Sequence, residues 1–142
     1  TLLLRKYDTT MKFYYNYRLA MAEWFGPHII VDCGYESYMS PKELHHCSRQ
    51  LINSWCANRI KSNPFNIIFC NVIEDNMVHK KFCELIPSVG TAESPVNFTN
   101  KHYLDLFPAK KLIYLSPHSQ HVMEDYEGDS VYVIGNKFKK TL

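Results

Sequence analysis

Several apolar runs of the sequence are followed by polar or small residues, which are the first candidates for ligand binding or catalysis. They are Asp32, Tyr35, Glu36, Asn71, Ser116, Gly135 and Asn136. In open α/β sheets, ligands bind beyond the carboxyl ends of the strands. A carboxylate such as Asp32 could act there as a general base, but more often it accepts hydrogen bonds from loop N–H groups. A ligand crevice is therefore predicted at these run ends, and above all at Ser116 and Gly135.

Several common kinds of site are excluded by motifs that the sequence lacks. It contains no GxGxxG, no GxxxxGK[ST] and no GxSxG, which argues against dinucleotide, P-loop and α/β-hydrolase chemistry. The 5 cysteines are odd in number and form no CxxC pair. They are predicted to be free thiols of a reducing compartment, and no metal site is expected.

Charged residues give a weaker signal. The net charge of +2 permits an acidic partner without requiring one. Arg49, Arg59 and Lys61 could form a basic patch along a helix; a solvated face is the usual reading and contact with phosphates is the alternative. The acids around Gly128 are predicted to be solvated and to face away from the strand ends; they are Glu124, Asp125, Glu127 and Asp129.

The elements that must position these residues are short strands alternating with helices. Four apolar runs without polar alternation are typical of strands covered on both faces: 28–31, 66–70, 111–115 and 131–134. A short strand or a surface loop is expected around Val96–Phe98. Right-handed crossovers then predict an α/β fold, a parallel sheet with helices on both faces. No run approaches the roughly 20 apolar residues that cross a bilayer, so a membrane-spanning protein is excluded.

Two helix starts carry the same signature. Ser40-Pro41 offers a capping hydroxyl and a proline at the first helical position, and Glu43 can close a capping box. That helix should end before Asn63-Pro64. Ser116-Pro117 repeats the cap and the proline, and predicts a further helix that stops at Gly128.

Two more helices complete the predicted order. One covers residues 76–85, with Asp75 as its cap. The other, within residues 1–25, is rich in aromatic residues and precedes the domain proper, residues 26–142. It is expected to pack as a lead-in helix, or alternatively to contact nucleic acid or a partner subunit.

An ordered series of strings resembles the tRNA position-9 purine N1-methyltransferases. The strings include Phe25-Gly26, Tyr35-Glu36-Ser37-Tyr38-Met39, Asn63-Pro64-Phe65, Phe69-Cys70-Asn71, Asp105-Leu106-Phe107-Pro108 and Val131-Tyr132-Val133-Ile134-Gly135. Such a series is far more specific than any one of its strings. The resemblance extends over residues 2–135 and is greatest to the mitochondrial branch of the family.

This resemblance implies a SPOUT-type α/β fold whose C-terminal trefoil knot binds S-adenosylmethionine, and methylation of N1 of guanine or adenine at tRNA position 9. For the mitochondrial branch it implies the mitochondrial matrix and ribonuclease P. There the partners would be precursor tRNA, a short-chain dehydrogenase subunit and a nuclease subunit that cuts the 5′ leader. A noncatalytic tRNA-binding or scaffold subunit of the same complex is the alternative.

Individual site residues follow from the resemblance. It implies a cofactor-binding role for four residues at the ends of two strands: Leu115, Ser116, Ile134 and Gly135. Gly135 would let the backbone approach a ligand closely, or would merely turn the chain. Asp32 and Tyr35 match positions near the RNA-facing side.

The sequence departs from the family after Gly135. Lys139 stands where the family has an Asp proposed as the general base, so no catalytic residue is assigned. We expect a truncated chain with an incomplete knot, which binds S-adenosylmethionine weakly or not at all and transfers no methyl group alone. The strand at 131–134 should then be poorly covered.

Overall fold

A parallel sheet forms the centre of the molecule in the computed structural model, which describes residues 2–73, 76–91 and 93–135, with side chains from residue 10 onward. Its strands are β1 (His28–Asp32), β2 (Asn66–Cys70), β3 (Asn97–Phe98), β4 (Leu112–Leu115) and β5 (Val131–Gly135). They lie in the order β3-β2-β1-β5-β4, and every neighbouring pair is parallel. The predicted parallel sheet is confirmed, and the segment around Asn97 is a strand.

In the described part of the chain, four α-helices surround the sheet: α1 (Leu2–Phe25), α2 (Pro41–Arg59), α3 (Met77–Leu85) and α4 (Tyr103–Leu106). The start of α2 is the predicted capping box. Glu43 N donates to Ser40 Oγ over 3.3 Å, and Ser40 N donates to the Glu43 carboxylate over 3.1 Å. Asn76 caps α3 by accepting a hydrogen bond from Val78 N. The predicted cap, Asp75, lies outside the described residues.

The two faces of the sheet are covered unequally. On one face, α2 and α3 pack on β1 and β2 around the rings of Phe69, Phe82 and Phe98, whose centroids lie 5.2–5.3 Å apart. On the other face, α4 and the chain that follows it cover a smaller core of Ile30, Cys70, Val131 and Val133. Helices on both faces are therefore confirmed, although α4 is a single turn.

The predicted helix from Ser116 to Gly128 is wrong, because residues 116–130 form turns and bends between β4 and β5. Serine hydroxyls there accept hydrogen bonds from the backbone two residues further on, in short turns that are not continued into a helix. His118 N donates to Ser116 Oγ and His121 N donates to Ser119 Oγ, both over 3.2 Å. Glu127 N donates to the Tyr132 hydroxyl over 2.8 Å, which ties the segment to β5.

The expectation of a poorly covered last strand is also wrong for most of β5. Val131, Tyr132 and Val133 are buried, because β5 lies between β1 and β4 and the ring of Tyr126 stacks on Tyr132. Its last two residues are less covered: Ile134 is exposed and Gly135 is partly exposed.

The lead-in helix α1 packs on the domain through one side. Leu19 contacts the larger core and Ala22 is buried. Its outer side carries a row of exposed large apolar residues: Phe13, Tyr14, Tyr17, Met21, Trp24 and Phe25. The division at residue 25 stays a prediction. Among the helices of the described residues, none is long and apolar enough to cross a membrane.

Candidate functional site

All the strands end at the same side of the sheet, which we call the carboxyl edge, and most of the predicted polar residues come together there. In the strand register, Asp32 at the end of β1 lies between Cys70 of β2 and Gly135 of β5, and Leu115 of β4 pairs with Ile134. Two open clefts flank this edge. We call them the Asp32 cleft and the Gly135 cleft.

The Gly135 cleft has a volume of about 940 Å³, which is within the range of small-molecule sites. All four predicted cofactor-binding residues line it: Leu115, Ser116, Ile134 and Gly135. Most of the other wall residues come from the irregular segment after β4, including Ser119, His121, Val122 and Met123. The predicted crevice is therefore present, but the wall beside the strands is a loop and not a helix.

Three acids that the sequence placed on a remote surface line this same cleft. Glu124, Asp125 and Glu127 are exposed wall residues of the Gly135 cleft. The prediction that they face away from the strand ends is wrong, because it depended on a helix that does not form. Without that helix, the segment folds back beside β4 and β5. The density of acids just before a strand was the available signal.

Gly135 leaves room for a contact within the chain. A Cβ atom at this position would collide with the Tyr114 hydroxyl of the adjacent strand β4. The space over the Gly135 backbone is thus occupied by a side chain of the protein itself. Its cofactor role stays a prediction, and Tyr114 is a wall residue that sequence reasoning missed.

Three tyrosines meet between the two clefts. The hydroxyls of Tyr35 and Tyr114 lie 3.5 Å apart, and the ring centroids of Tyr103 and Tyr114 are separated by 6.1 Å. Burial, followed by the contact with Tyr35, raises the pKa of Tyr114 well above its usual value. Burial and the nearby Asp32 carboxylate raise the pKa of Tyr103. The hydroxyls of Tyr103 and Tyr114 therefore keep their protons at neutral pH.

The Asp32 cleft, of about 920 Å³, is built around a buried carboxylate. Asp32 is 4% exposed, and its Oδ1 accepts hydrogen bonds from Gly34 N over 3.0 Å and from Asn71 Nδ2 over 2.7 Å. Asn71 itself has a φ of 57°, in the left-handed region that Asn tolerates better than most residues. These contacts are those of a loop-organising carboxylate; its role as a base stays a prediction.

Neighbouring groups of the Asp32 cleft are also held in place. Met77 N, at the start of α3, donates to Glu36 Oε1 over 2.8 Å. Burial is the main cause that raises the pKa of Cys70 to about 12, with the Asp32 charge adding to it. The Cys70 thiol is therefore protonated and a poor nucleophile at neutral pH.

The structure does not bring the five predicted RNA-binding residues onto one surface. Asp32 and Tyr35 lie at the carboxyl edge, whereas Arg59 and Lys61 lie at the end of α2, which approaches the start of β2. Arg49 is an exposed residue of α2 between these positions. Their roles as RNA contacts stay predictions.

Arg59 in particular has structural contacts. Its guanidinium donates to Asn16 Oδ1 over 2.7 Å and to the carbonyl of Glu93, and it lies 5.4 Å from the ring centroid of Trp55. It thereby links α1, α2 and the loop before β3. Burial lowers its pKa, but an arginine remains charged at any physiological pH.

Over residues 2–73, 76–91 and 93–135, no group of three or more His, Cys, Asp or Glu side chains is arranged to hold a metal ion. Lys139 lies outside the described residues, so its place relative to the Gly135 cleft stays a prediction.

Comparison with known proteins agrees with this architecture. Two crystal structures of spTrm10 superpose with a TM-score of 0.67 each. The full-length protein in complex with SAH has 26% sequence identity and is matched over 80% of this chain and 63% of its own. The second, spTrm10(74), has 25% identity and is matched over 77% and 58%.

Curated sequences give the same relationship. The mitochondrial ribonuclease P protein 1 homolog of Drosophila melanogaster is 33% identical over 135 residues, which are 95% of this chain and 30% of the relative. The human tRNA methyltransferase 10 homolog C is 35% identical over 141 residues, 99% of this chain and 35% of the relative. The chain thus spans about a third of the length of these relatives.

A family model assigns the relationship directly. The model described as tRNA (guanine(9)-N(1))-methyltransferase TRM10/TRM10A matches residues 14–139, most of the chain. The parallel sheet and the spTrm10 superpositions agree with it and give the SPOUT-type fold. The chain therefore belongs to the TRM10 family of tRNA (guanine(9)-N(1))-methyltransferases.

Proposed function

We propose that this chain is part of an S-adenosylmethionine-dependent methyltransferase that acts on N1 of the purine at tRNA position 9, with the methyl donor bound in the Gly135 cleft. One observation carries the proposal. The four residues predicted to bind the cofactor line a single cleft, in a chain of a family whose spTrm10 member binds SAH.

The chemistry of the cleft fits the methyl donor. Leu115 and Ile134 supply apolar contacts at the strand ends, and Ser116 supplies a hydroxyl. The carboxylates of Glu124 and Asp125 match the positive charge of a sulfonium, although their exposure keeps that attraction modest. When bound, the donor would supply a methyl group on a positively charged sulfur.

The residues of the chain would then act mainly by placement. The acceptor nitrogen must lie close to the methyl carbon and in line with the breaking bond, and guanine must also lose its N1 proton. We infer that Lys139, a cation where the family has an acid, makes transfer by this chain alone slow or absent, because a cation is a poor acceptor for that proton.

Donor binding can be tested residue by residue with NMR. Titration of the ¹⁵N-labelled chain with millimolar S-adenosylmethionine should shift the amide signals of Leu115, Ser116 and Gly135. The amides of β3, at the opposite end of the strand order, serve as an internal control. Absence of shifts, or shifts confined to other regions, would exclude the Gly135 cleft as the donor site.

We also propose that tRNA is the macromolecular partner, within a mitochondrial ribonuclease P assembly in the matrix that contains a dehydrogenase and a nuclease subunit. The name of the Drosophila relative supports this assignment. Binding of a precursor tRNA should weaken steeply as salt rises, since phosphate contacts release counterions. Affinity that is independent of salt would contradict it.

A noncatalytic tRNA-binding or scaffold subunit is the second candidate. The exposed apolar row of α1, in which Phe13 and Trp24 are largely solvent-accessible, favours it because such a row is typical of a surface that meets a partner. Single-turnover methyl transfer separates the two functions. In the first, Lys139→Asp should raise the rate; in the second, transfer should stay undetectable while tRNA binding persists.

A further inference from the structure

We propose that the ring of Tyr114 is the platform on which the target purine stacks for methylation, an inference that rests on the proposed function. The junction between the two clefts is the first reason. Asp32 and Gly135 are register partners on adjacent strands, so the Asp32 cleft and the Gly135 cleft meet at this pair. Tyr114 stands over that junction, with its hydroxyl at Gly135 and beside the hydroxyl of Tyr35.

The geometry of methyl transfer places the acceptor at the same point. A donor in the Gly135 cleft requires the purine N1 to come within about 3–3.5 Å of the methyl carbon. The purine must therefore enter beside the strand ends that carry Leu115 and Gly135. An exposed ring at that position is suited to receive it.

Tyr114 has the exposure and the support that a stacking platform needs. It is 41% exposed, so part of its ring is free to meet a ligand. Tyr103 packs against it with centroids 6.1 Å apart, and the Tyr35 hydroxyl lies 3.5 Å from its own hydroxyl. Of the wall residues that the structure describes for the Gly135 cleft, Tyr114 alone is a Phe, Tyr or Trp.

An unstacked purine needs such a surface. A base that is drawn out of the tRNA core loses its stacking partners, and enzymes that act on such bases replace them with aromatic or apolar side chains. Stacking on an aromatic ring does not depend on which base is present. It would therefore accept either purine.

Photocrosslinking tests the proposal. A tRNA with 6-thioguanosine at position 9 is irradiated with the full chain, and the modified peptide is identified by mass spectrometry. We expect a crosslink to Tyr114. Its yield should fall at least fivefold in Tyr114→Leu, because the base no longer has an aromatic partner, and persist in Tyr114→Phe, which keeps the ring.

The controls separate failure of the inference from failure of the function. Leu85→Ala, at an exposed residue at the end of α3, should leave the yield unchanged. Fluorescence anisotropy with the same tRNA reports overall affinity. If the tRNA binds but the crosslink maps elsewhere, is unchanged in Tyr114→Leu, or is lost in Tyr114→Phe, the stacking platform is wrong while the proposed function stands. If the tRNA does not bind, both are wrong.

Discussion

The two clefts at the carboxyl edge have nearly the same volume, but their walls are built in different ways. The Asp32 cleft lies among the starts of α2, α3 and α4, where capped helices and a buried carboxylate fix the backbone. The Gly135 cleft lies between two strand ends and a segment without helix or strand. The same edge therefore offers one rigid wall and one wall held mainly by local serine contacts and by Tyr132.

Because of this difference, we expect one half of the molecule to contribute mainly to stability and the other mainly to ligand binding. The half with the Asp32 cleft, α2 and α3, which we call the rigid half, contains the larger core, and its Asp32, Asn71 and Glu36 side chains already accept or donate hydrogen bonds within the protein. The half with the Gly135 cleft and residues 116–130, which we call the irregular half, exposes carboxylates, serines and apolar side chains to a ligand. Substitutions in the rigid half should affect folding most, and substitutions in the irregular half should affect binding most.

The largest expected effect is on the core of the rigid half. Phe82→Ala removes a fully buried ring from the cluster with Phe69 and Phe98, and should lower the free energy of unfolding by about 3–5 kcal/mol. Met123→Ala, on the Gly135 cleft and 52% exposed, should change it by less than about 0.5 kcal/mol. Urea denaturation measures both. Equal losses would remove the distinction between the two halves.

The two Ser-Pro sites should respond differently to the same substitution. Ser40→Ala breaks the capping box of α2 and should cost about 1 kcal/mol of unfolding free energy. Ser116→Ala should cost less than about 0.5 kcal/mol, since Ser116 accepts one exposed hydrogen bond in a turn. Thermal unfolding followed by circular dichroism compares them. A cost at Ser116 that matches the one at Ser40 would contradict the structure.

The acids of the irregular wall should contribute to binding of the methyl donor. Removing two exposed charges with Glu124→Gln and Asp125→Asn should weaken S-adenosylmethionine binding by about twofold to fivefold. Binding of SAH, which has a neutral thioether, should change less. Asp129→Asn is the matched control, because Asp129 is not among the wall residues of this cleft. Equal weakening of both ligands would show that charge is not the cause.

The smallest expected effect concerns pH. Burial lowers the pKa of His28 below its usual 6.5, with Glu23 opposing the shift. Well above pH 6.5 the imidazole is neutral in both the folded and the unfolded state, so it leaves the free energy of unfolding unchanged. As the pH falls below 6.5, the unfolded chain takes up the proton more readily, so the free energy of unfolding decreases.

Replacement by a group that does not titrate isolates this contribution. His28→Gln should lose less stability than the natural chain between about pH 7 and about pH 5, as measured by urea unfolding at each pH. The expected difference is small because His28 is only partly buried. A steeper loss in the variant would reverse the sign and contradict the assignment.

The sequence predicted the sheet because apolar runs such as 66–70 and 131–134 have no polar side for solvent. Such runs are typical of strands whose two faces are both covered by other parts of the protein. It predicted α2 because Ser40, Pro41 and Glu43 act on each other within one turn. Local chemistry of this kind can be read from neighbouring residues. The strand ends at Leu115 and Gly135 followed from the same reasoning.

Sequence reasoning failed at the segment after β4. Ser116-Pro117 has the same local signature as Ser40-Pro41, but the segment forms serine turns, Glu127 N donates to the Tyr132 hydroxyl, and no helix is present. The placement of the Tyr114 hydroxyl over Gly135 depends on the pairing of β4 with β5. No spacing along the chain contains that information, so the tyrosine contact could not be foreseen.

The position of β5 between β1 and β4 has a consequence for synthesis of the chain. Strands separated by about a hundred residues must meet before the sheet is continuous, since β1 spans 28–32 and β5 spans 131–135. Pairings between such distant segments form slowly. While a ribosome is still making residues 131–135, one side of β1 has no partner, and the side chain of Ile30, which packs with Val131 and Val133, is only partly covered. A chaperone that shields this nascent edge should increase the yield of folded protein.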